Sequence, residues 1–294
     1  MHVNYYSKVI LFGEYSMIFD SIALMIPLKR FSAQWRFTDR DKPESIASNR
    51  SLSRFLSYLA QNEELSCALD LQRFRVDLDH GLHLDSNVPS SYGLGSSGTL
   101  VAAVYDAYAL QKTDDLMDLK RLFGIMESFF HGSSSGIDPL QCYLGEPFKI
   151  SSEGITRLGD DFLKKDIHVC LIDTKVKSKT GPLVEYFKRQ RQDEVYLKGF
   201  QTEYVPLVSR CIETMISGNT ETFFETLGEL SQKQMKFLRP MITDNTIDLF
   251  LEKPDFHFGV KISGSGGGGY LLGFTNRPEL AETLLSSYEI CWID

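Results

Sequence analysis

The sequence predicts an α+β protein, in which strands and helices are mixed and some of the strands form hairpins. Three observations predict this class. Short apolar or alternating runs bounded by glycine are typical of strands, and stretches with helical spacing or many good helix formers are typical of helices. Two alternating runs on either side of Gly81 are typical of a hairpin.

The first half of the chain opens with an apolar run and then alternates between helical and strand-like stretches. We predict, in order, a buried strand over 9–12, a polar surface loop over 38–49, a helix around 52–59, a hairpin over 74–85, and helices over 99–110 and 114–130. Thr113 or Asp114 is expected to cap the last of these helices.

The second half has a different texture, with longer helices and a glycine run between two strands. We predict strands over 167–172, 260–262, 270–272 and 288–293, and helices over 205–216, 222–237 and 245–251. The polar turn at 159–161 marks a boundary, so we expect two domains, 1–160 and 161–294.

The composition of the 294 residues excludes several classes of protein. The chain carries 31 Lys and Arg against 39 Asp and Glu, a net charge of −8, and no basic run. We therefore expect no nucleic-acid partner and no binding to an anionic membrane. Glu14 and Asp20 interrupt the apolar stretch near the start, so we expect neither a membrane span nor a secretion signal. Five scattered cysteines without a CxxC pair favour reduced thiols in a cytoplasm over disulfides or a zinc site.

A glycine- and serine-rich turn precedes the predicted helix at 99–110. Its sequence is Gly93-Leu-Gly-Ser-Ser-Gly98. Glycines let the backbone approach an anion, and a helix N-terminus adds free N–H groups and a favourable dipole, so this turn predicts a phosphate-binding loop. It also satisfies GxGxxG, but a dinucleotide site needs a strand that ends at Gly93, where Pro89 to Tyr92 intervene. A turn without any ligand is the remaining alternative.

A second glycine run, Gly264-Ser-Gly-Gly-Gly-Gly269, lies between two apparent strands. Each glycine costs roughly 0.5–1 kcal/mol relative to alanine in an ordered element, and a tight hairpin needs only one or two. Close approach to a phosphate is our leading explanation for the others, and a flexible linker is the alternative. No GxxxxGK[ST] pattern is present, which excludes a P-loop protein.

Two carboxylates and a lysine complete the set of residues that could carry chemistry. Glu127 and Asp138 flank His131 and a Ser/Gly loop, so one carboxylate could hold magnesium while the other takes a proton from a hydroxyl. Lys8 opens the first strand, where its ammonium could stabilise a transferring phosphoryl group. Unrelated surface charges, a structural histidine and a solvated strand end are the alternatives.

Together these segments resemble the GHMP superfamily of small-molecule kinases, named after galactokinase, homoserine kinase, mevalonate kinase and phosphomevalonate kinase. Its three motifs occur in order as Lys8-Val-Ile-Leu-Phe-Gly-Glu14, Pro89-Ser-Ser-Tyr-Gly-Leu-Gly-Ser-Ser97 and Lys261-Ile-Ser-Gly-Ser-Gly-Gly-Gly-Gly269. Within the superfamily, His131-Gly-Ser-Ser-Ser-Gly-Ile-Asp138 is similar to the HGxPSGxD element of mevalonate kinases. Asp173-Thr-Lys-Val-Lys-Ser-Lys-Thr180 is similar to their DTKVxxxT segment.

The resemblance implies a fold, a reaction and a role for each matching residue. The fold is an N-terminal domain like part of ribosomal protein S5 with a ferredoxin-like C-terminal domain, and the reaction is ATP- and Mg²⁺-dependent phosphorylation of the 5-hydroxyl of mevalonate. The resemblance implies that Asp138 is the catalytic base, that Lys8 is catalytic too, and that Ser97 and Glu127 bind the metal. The residues implied to bind ATP are Gly93, Leu94, Gly95, Ser96, Ser97 and Gly98. The residues implied to bind the substrate are Glu14, Tyr15, His131, Ser135, Gly264, Gly266 and Gly267. Dimers are common among relatives, so the resemblance leaves a homodimer open.

Three departures from the family pattern occur. Tyr15 stands where mevalonate kinases usually carry histidine, and GEY is commoner in phosphomevalonate kinases, so the substrate stays open between these two or another small hydroxylated acid. Gly98-Thr99 replaces the usual Ala-Ala, which a helix start tolerates. Ser134 replaces a proline, which removes some rigidity from the loop. A catalytically silent nucleotide-binding paralogue and a dinucleotide oxidoreductase also stay open as hypotheses.

Overall fold

The computed structural model of the chain describes residues 3–38, 43–90, 92–163, 166–252 and 254–293. The chain forms two compact units whose segments alternate along the sequence. The first unit comprises Met1–Lys8, Pro27–Pro89 and Leu94–Gly145, and the second comprises Val9–Ile26, Ser90–Gly93 and Glu146–Asp294. The α+β class predicted from the sequence is confirmed. The two domains 1–160 and 161–294 stay a prediction.

The chain up to residue 145 is mostly helical and contributes three strands. In chain order its elements are β1 (Tyr5–Phe12), β2 (Ala23–Phe37), α1 (Pro43–Gln61), α2 (Glu63–Ala68), α3 (Leu71–Asp79), β3 (Leu82–Ser86), α4 (Ser96–Tyr108), α5 (Leu116–His131) and α6 (Ile137–Leu144). β1 and β2 are neighbours in a sheet. The last part of β2 pairs antiparallel with β3, so that Ala33 lies opposite Ser86 and Phe37 opposite Leu82.

The described residues after 145 add further strands and α-helices to the elements above. They are β4 (Phe148–Ser151), β5 (Gly154–Arg157), β6 (His168–Asp173), α7 (Thr180–Gln190), α8 (Glu194–Gly199), α9 (Val205–Ser217), α10 (Thr220–Phe237), α11 (Ile247–Leu251), β7 (Phe258–Ile262), β8 (Tyr270–Thr275), α12 (Pro278–Leu284) and β9 (Ile290–Ile293). β4 pairs with the first residues of β2 and with β5. The other strands form an antiparallel sheet in the order β7-β8-β6-β9.

Small residues on α4 let the first unit pack its helices closely. Ala102 and Ala103 of α4 form a buried cluster with Tyr5 and Cys142. At the start of α4, a Cβ on Gly98 would lie only 3.0 Å from the carbonyl carbon of Asp138. The backbone of α4 therefore lies directly against the first turn of α6, which fixes the distance between the predicted phosphate loop and the predicted base.

An aromatic core lies in the second unit, where α10 packs against β7. The ring of Phe12 stacks on that of Phe274 with centroids 5.4 Å apart and meets the edge of Phe223 at 6.1 Å. Lys261, on β7, is almost fully buried, and its Nζ lies 5.4 Å from the ring centre of Phe12. Phe12 is the last residue of β1, so this core holds the end of that strand.

The predicted hairpin over 74–85 is wrong. Residues up to Asp79 form α3, and β3 pairs with β2 instead. The side chain of Asp70 accepts a hydrogen bond from the N–H of Arg73 and so caps the helix. Phe74 and Leu78, four residues apart, are both buried, which is the spacing of one helix face. Over six residues the alternation fitted a strand equally well.

Two predicted boundaries also differ from the structure. The loop predicted over 38–49 is wrong from Pro43 onward, because α1 begins there with a proline in its first turn; residues 39–42 lie outside the described residues. The cap of α5 is Asp115, whose carboxylate accepts from the N–H groups of Met117 and Asp118. The prediction of Thr113 or Asp114 is therefore wrong; the hydroxyl of Thr113 accepts from the N–H of Asp115, two residues further along.

Two general features concern the whole described part of the chain. Within it, no helix combines the length and the apolar character that a membrane crossing requires. The five cysteines all lie in this part and form no disulfide.

Candidate active site

Lys8 and Asp138 form an ion pair in the first unit. The ammonium Nζ of Lys8 lies 2.8 Å from Oδ2 of Asp138. The lysine side chain is 4% exposed and the aspartate side chain is 33% exposed. Lys8 belongs to β1, and its N–H donates to the carbonyl oxygen of Leu94, which ties the strand to the glycine-rich loop. The pair therefore combines a fixed, buried cation with a carboxylate that small molecules can reach.

The loop before α4 has the geometry of an anion-binding turn. Gly93 and Gly95 have φ angles of 73° and 77°, in the left-handed region that favours glycine. Gly95 is the N-cap of α4 and provides no side-chain cap, so the first N–H groups of this 13-residue helix have no partner within the helix. A Cβ on Gly95 would lie 2.9 Å from Cγ of Lys8. Glycine is required at position 95 because its φ angle is positive and because a side chain there would clash with the aliphatic part of Lys8.

The same loop does not have the context of a dinucleotide site. β3 is the preceding strand in the described chain, and it ends at Ser86, well before Gly93. The strand that should lead directly into the first glycine is therefore missing, and the GxGxxG match carries no dinucleotide argument.

Glu127 is the centre of a buried polar cluster beside this loop. The hydroxyl of Ser97 donates to Oε1 of Glu127 at 2.8 Å, and the hydroxyl of Ser134 donates to Oε2 at 2.5 Å. Nε2 of His131 lies 3.1 Å from Oγ of Ser97. Burial raises the pKa of Glu127, and the negative charge of Asp138 raises it further, whereas the two hydroxyl donors oppose the shift. A cation at this carboxylate would offset both causes.

The oxygen atoms of Ser97 and Glu127 fit a magnesium ion. Magnesium prefers hard oxygen ligands and is usually held by one or two protein side chains together with phosphate oxygens and water. Among the residues that the structure describes, no three His, Cys, Asp or Glu side chains gather around a common point. A metal at this cluster would therefore take the Ser97 hydroxyl and the Glu127 carboxylate from the protein and its other ligands from a nucleotide and water.

Two residues predicted to contact the substrate lie near the same cluster. His131 is exposed at the end of α5, beside Ser97. Ser135 is also exposed, and its hydroxyl oxygen accepts from the N–H of Ile137 at 3.5 Å, at the start of α6. The structure therefore brings together Lys8, Asp138, Ser97, Glu127 and His131 in the first unit. Their contacts with a substrate stay a prediction.

The second unit holds its own lysine–carboxylate pair, between Glu14 and Lys261. Nζ of Lys261 lies 2.7 Å from Oε1 of Glu14, and both side chains are at most 3% exposed. The ammonium also donates to the carbonyl oxygen of Ile262, and the N–H of Gly264 donates to Glu14. Burial raises the pKa of Glu14 and lowers that of Lys261, and their mutual attraction opposes both shifts. Glu14 thus joins the end of β1 to β7 and to the glycine run.

Sequence reasoning assigned no role to Lys261. One signal was present: Lys261 stands between Val260 and Ile262 in an apolar run, where an unpaired lysine would be costly to bury. A buried lysine in such a run requires an acidic partner. The partner itself, 247 positions away, could not be identified from this local pattern.

Tyr15 contacts the glycine run in the second unit. Its hydroxyl donates to the carbonyl oxygen of Ser265 at 2.8 Å, and its ring lies 4.7 Å from that of Phe187. Its φ angle of 58° is unusual for a residue other than glycine. The contacts with Ser265 and Phe187 stabilise this backbone conformation and fix the orientation of the Tyr15 side chain.

Packing within the second unit accounts for the glycine run. Gly266, Gly267 and Gly268 have φ angles of 67°, 69° and 137°, and a Cβ on each would lie 2.5 Å from Met241, Leu183 and Val176, respectively. The N–H groups of Gly266 and Gly267 donate to Ser263 and Met241. The flexible-linker alternative is wrong. The expected approach to a phosphate is not needed to explain these glycines, and substrate contacts of Gly264, Gly266 and Gly267 stay a prediction.

Comparison with known proteins shows what the chain is similar to. Residues 58–146 match the family model described as GHMP kinases N terminal domain. The chain is similar to the mevalonate kinase of Methanocaldococcus jannaschii, with 24% identity over 95% of this chain and 93% of the relative.

Two solved structures share the fold. One is Streptococcus pneumoniae phosphomevalonate kinase in complex with phosphomevalonate and AMPPNP, with a TM-score of 0.69 and 17% identity over 100% of both chains. The other is L. major mevalonate kinase in complex with R-mevalonate, with a TM-score of 0.67 and 17% identity over 97% of this chain and 90% of that one. The match to the N-terminal domain model and the similarity to mevalonate kinases agree with the resemblance drawn from the three motifs, and they support an ATP-dependent kinase of small molecules.

Proposed function

We propose that this protein transfers the γ-phosphoryl group of ATP to the 5-hydroxyl of mevalonate. The observation that carries the proposal is the pair of Lys8 and Asp138, with an accessible carboxylate next to the glycine-capped start of α4. The choice of mevalonate is supported by the curated relative, a mevalonate kinase, and by the two sequence elements typical of that group. A homodimer stays a prediction.

The residues of the first unit divide the chemistry among them. Asp138 accepts the proton of the substrate hydroxyl, whose oxygen forms a bond to the γ-phosphorus while the bond from phosphorus to ADP breaks. Lys8 lies within hydrogen-bond distance of Asp138, so its ammonium stabilises the negative charge that develops on the attacking oxygen. Because the protein forms no covalent bond, its contribution is positioning and electrostatics.

The start of α4 is the proposed phosphate site. The N–H groups of Ser96, Ser97 and Gly98 lie at the positive end of the helix dipole, next to the loop of Gly93, Leu94 and Gly95. Ser97 and Glu127 are the proposed magnesium ligands. When bound, magnesium would neutralise the charge of the nucleotide phosphates.

Phosphomevalonate kinase activity is the second proposed function. One observation favours it: Tyr15 lies in the GEY form that is commoner in that group. In that reaction an oxygen of the substrate's 5-phosphate, rather than a hydroxyl, forms the bond to the γ-phosphorus while the bond to ADP breaks. Lys8 would then neutralise and orient that oxygen, and Asp138 would hold Lys8 in place through their ion pair instead of accepting a hydroxyl proton.

Release of ADP with a panel of substrates tests both proposals. The purified protein is assayed with ATP, Mg²⁺ and either mevalonate, 5-phosphomevalonate or homoserine, and the Asp138→Asn variant is the control for contaminating kinases. We expect kcat/KM to be at least about tenfold higher for mevalonate, a difference of about 1.4 kcal/mol. A preference for 5-phosphomevalonate would support the second function. ATP binding without ADP release from any substrate would contradict both and indicate a silent nucleotide-binding protein.

A further inference from the structure

We propose that Ser134 is a positioning residue for the active site of the first unit. Its hydroxyl orients the carboxylate of Glu127 and at the same time holds the turn that leads to Asp138. This inference rests on the proposed function, because it takes Glu127 as the magnesium ligand.

One hydroxyl connects two elements of the site. Oγ of Ser134 donates to Oε2 of Glu127 on α5 and accepts from the N–H of Gly136, the N-cap of α6, at 3.0 Å. Because Oε2 is engaged by Ser134, the other oxygen, Oε1, faces Ser97. The carboxylate plane of Glu127 is thus fixed from both sides by serine hydroxyls.

The loop around Ser134 has little room to adjust. Gly136 has a φ angle of 74°, and a Cβ there would lie 1.9 Å from the carbonyl oxygen of Lys120. A Cβ on Gly124 would lie 3.0 Å from the carbonyl oxygen of Ser134. The loop backbone therefore packs directly on α5. Asp138 follows Gly136 by two residues. A displacement of Ser134 would therefore shift the carboxylates of both Glu127 and Asp138.

The family pattern that this segment resembles has proline at this position. Proline would fix its own φ angle but would have no hydroxyl for Glu127 and none for Gly136. The serine supplies two hydrogen bonds where the family uses a restricted backbone. The expectation of a merely less rigid loop therefore gives way to a specific role for the side chain.

Isothermal titration calorimetry with ATP, in the absence of substrate, tests this role separately from turnover. The measured quantity is the ratio of the Kd for ATP in EDTA to the Kd in saturating Mg²⁺, for the wild type and each variant. Loss of a group that orients a metal ligand typically costs roughly 10–100-fold in metal affinity. We therefore expect Ser134→Ala to lower the ratio about tenfold and to raise the Mg²⁺ concentration for half-maximal turnover.

Matched variants distinguish positioning from a general loss of structure. Ser134→Thr keeps the hydroxyl and should retain the wild-type ratio. Ser128→Ala removes a half-buried serine of α5 whose hydroxyl donates to the carbonyl oxygen of Gly124, and it should leave the ratio unchanged. If Ser134→Ala does not fold, Ser134→Cys, which keeps the volume but bonds weakly, takes its place with the same expected direction.

Glu127→Gln separates failure of the inference from failure of the proposed function. If Glu127→Gln lowers the ratio while Ser134→Ala matches the wild type, the role of Ser134 is wrong and the metal site stands. If Glu127→Gln leaves the ratio unchanged, Glu127 is not a magnesium ligand, and the positioning role of Ser134 is lost with it. The proposal is supported if the Kd ratio is lowered in Ser134→Ala and equals the wild-type ratio in Ser134→Thr.

Discussion

Each unit of the molecule contains a lysine–carboxylate pair, and the two pairs have nearly the same length. The Lys8–Asp138 distance is 2.8 Å and the Lys261–Glu14 distance is 2.7 Å. Asp138 is one-third exposed, whereas the Glu14 side chain is 3% exposed and its Oε2 has no hydrogen-bond partner within the described residues. Access to the carboxylate, rather than the length of the ion pair, separates a residue that can exchange a proton with a substrate from one that holds a turn together.

The comparison is tested most strongly by removing the proton acceptor of the first pair. Asp138→Asn keeps the size of the side chain but cannot take a proton from the substrate hydroxyl. We expect kcat to fall by roughly 10²–10⁴-fold, while the Kd for ATP changes little and the thermal midpoint falls, because the buried Lys8 loses its charged partner. Steady-state kinetics, calorimetry and thermal melting measure these three quantities. Near-normal turnover would remove the base assignment.

The same kind of change in the second pair should act on stability instead. Glu14→Gln leaves the ammonium of Lys261 buried without a charged partner, which typically costs roughly 3–5 kcal/mol in the free energy of unfolding. Urea unfolding followed by circular dichroism measures this. The double variant Glu14→Gln with Lys261→Met removes the stranded charge and should recover part of the loss. A loss below about 1 kcal/mol would mean that the buried pair is not structural.

Two glycines extend the comparison to the backbone. Both have φ angles near 70°, but a Cβ on Gly266 would lie 2.5 Å from the carbonyl oxygen of Met241, and a Cβ on Gly93 would meet nothing within 4 Å. We expect Gly93→Ala to cost about 1–2 kcal/mol from the left-handed conformation alone. Overpacking should make Gly266→Ala costlier by about 1–3 kcal/mol. Equal unfolding free energies for the two variants would contradict the packing explanation.

Thiol labelling gives the smallest effect and reports on both pairs at once. Burial raises the pKa of Cys142, near Lys8 and Asp138, and that of Cys211, near Lys261. Because the thiolate is the reactive form, both should resist iodoacetamide at pH 8, whereas the exposed Cys67 should react. In Glu14→Gln we expect faster labelling of Cys211 and unchanged labelling of Cys142, as measured by peptide mass spectrometry. Equal acceleration at both would show that the variant loosens the whole molecule.

Both residues of the first pair could be singled out from the sequence because they lie in motifs that resemble those of a known family; their roles stay a prediction. Lys8, Ser97, Glu127 and Asp138 lie together as the resemblance implied. The helix α3 was missed because its short alternation fits either a strand or a helix, and its Asp70 cap decides between them. The partner of Lys261 and the role of Ser134 depend on contacts between elements, which no periodicity records.

Gly98 has a consequence for how this protein could change its substrate. Without a side chain at this position, the main chain of α4 lies against the main chain at Asp138, where the family pattern has alanine. The gap between the proposed phosphate site at the start of α4 and the proposed proton acceptor is therefore set by two helix backbones rather than by side-chain rotamers. We therefore expect substitutions of exposed side chains to change which alcohol binds, while the distance between the start of α4 and Asp138 stays constant.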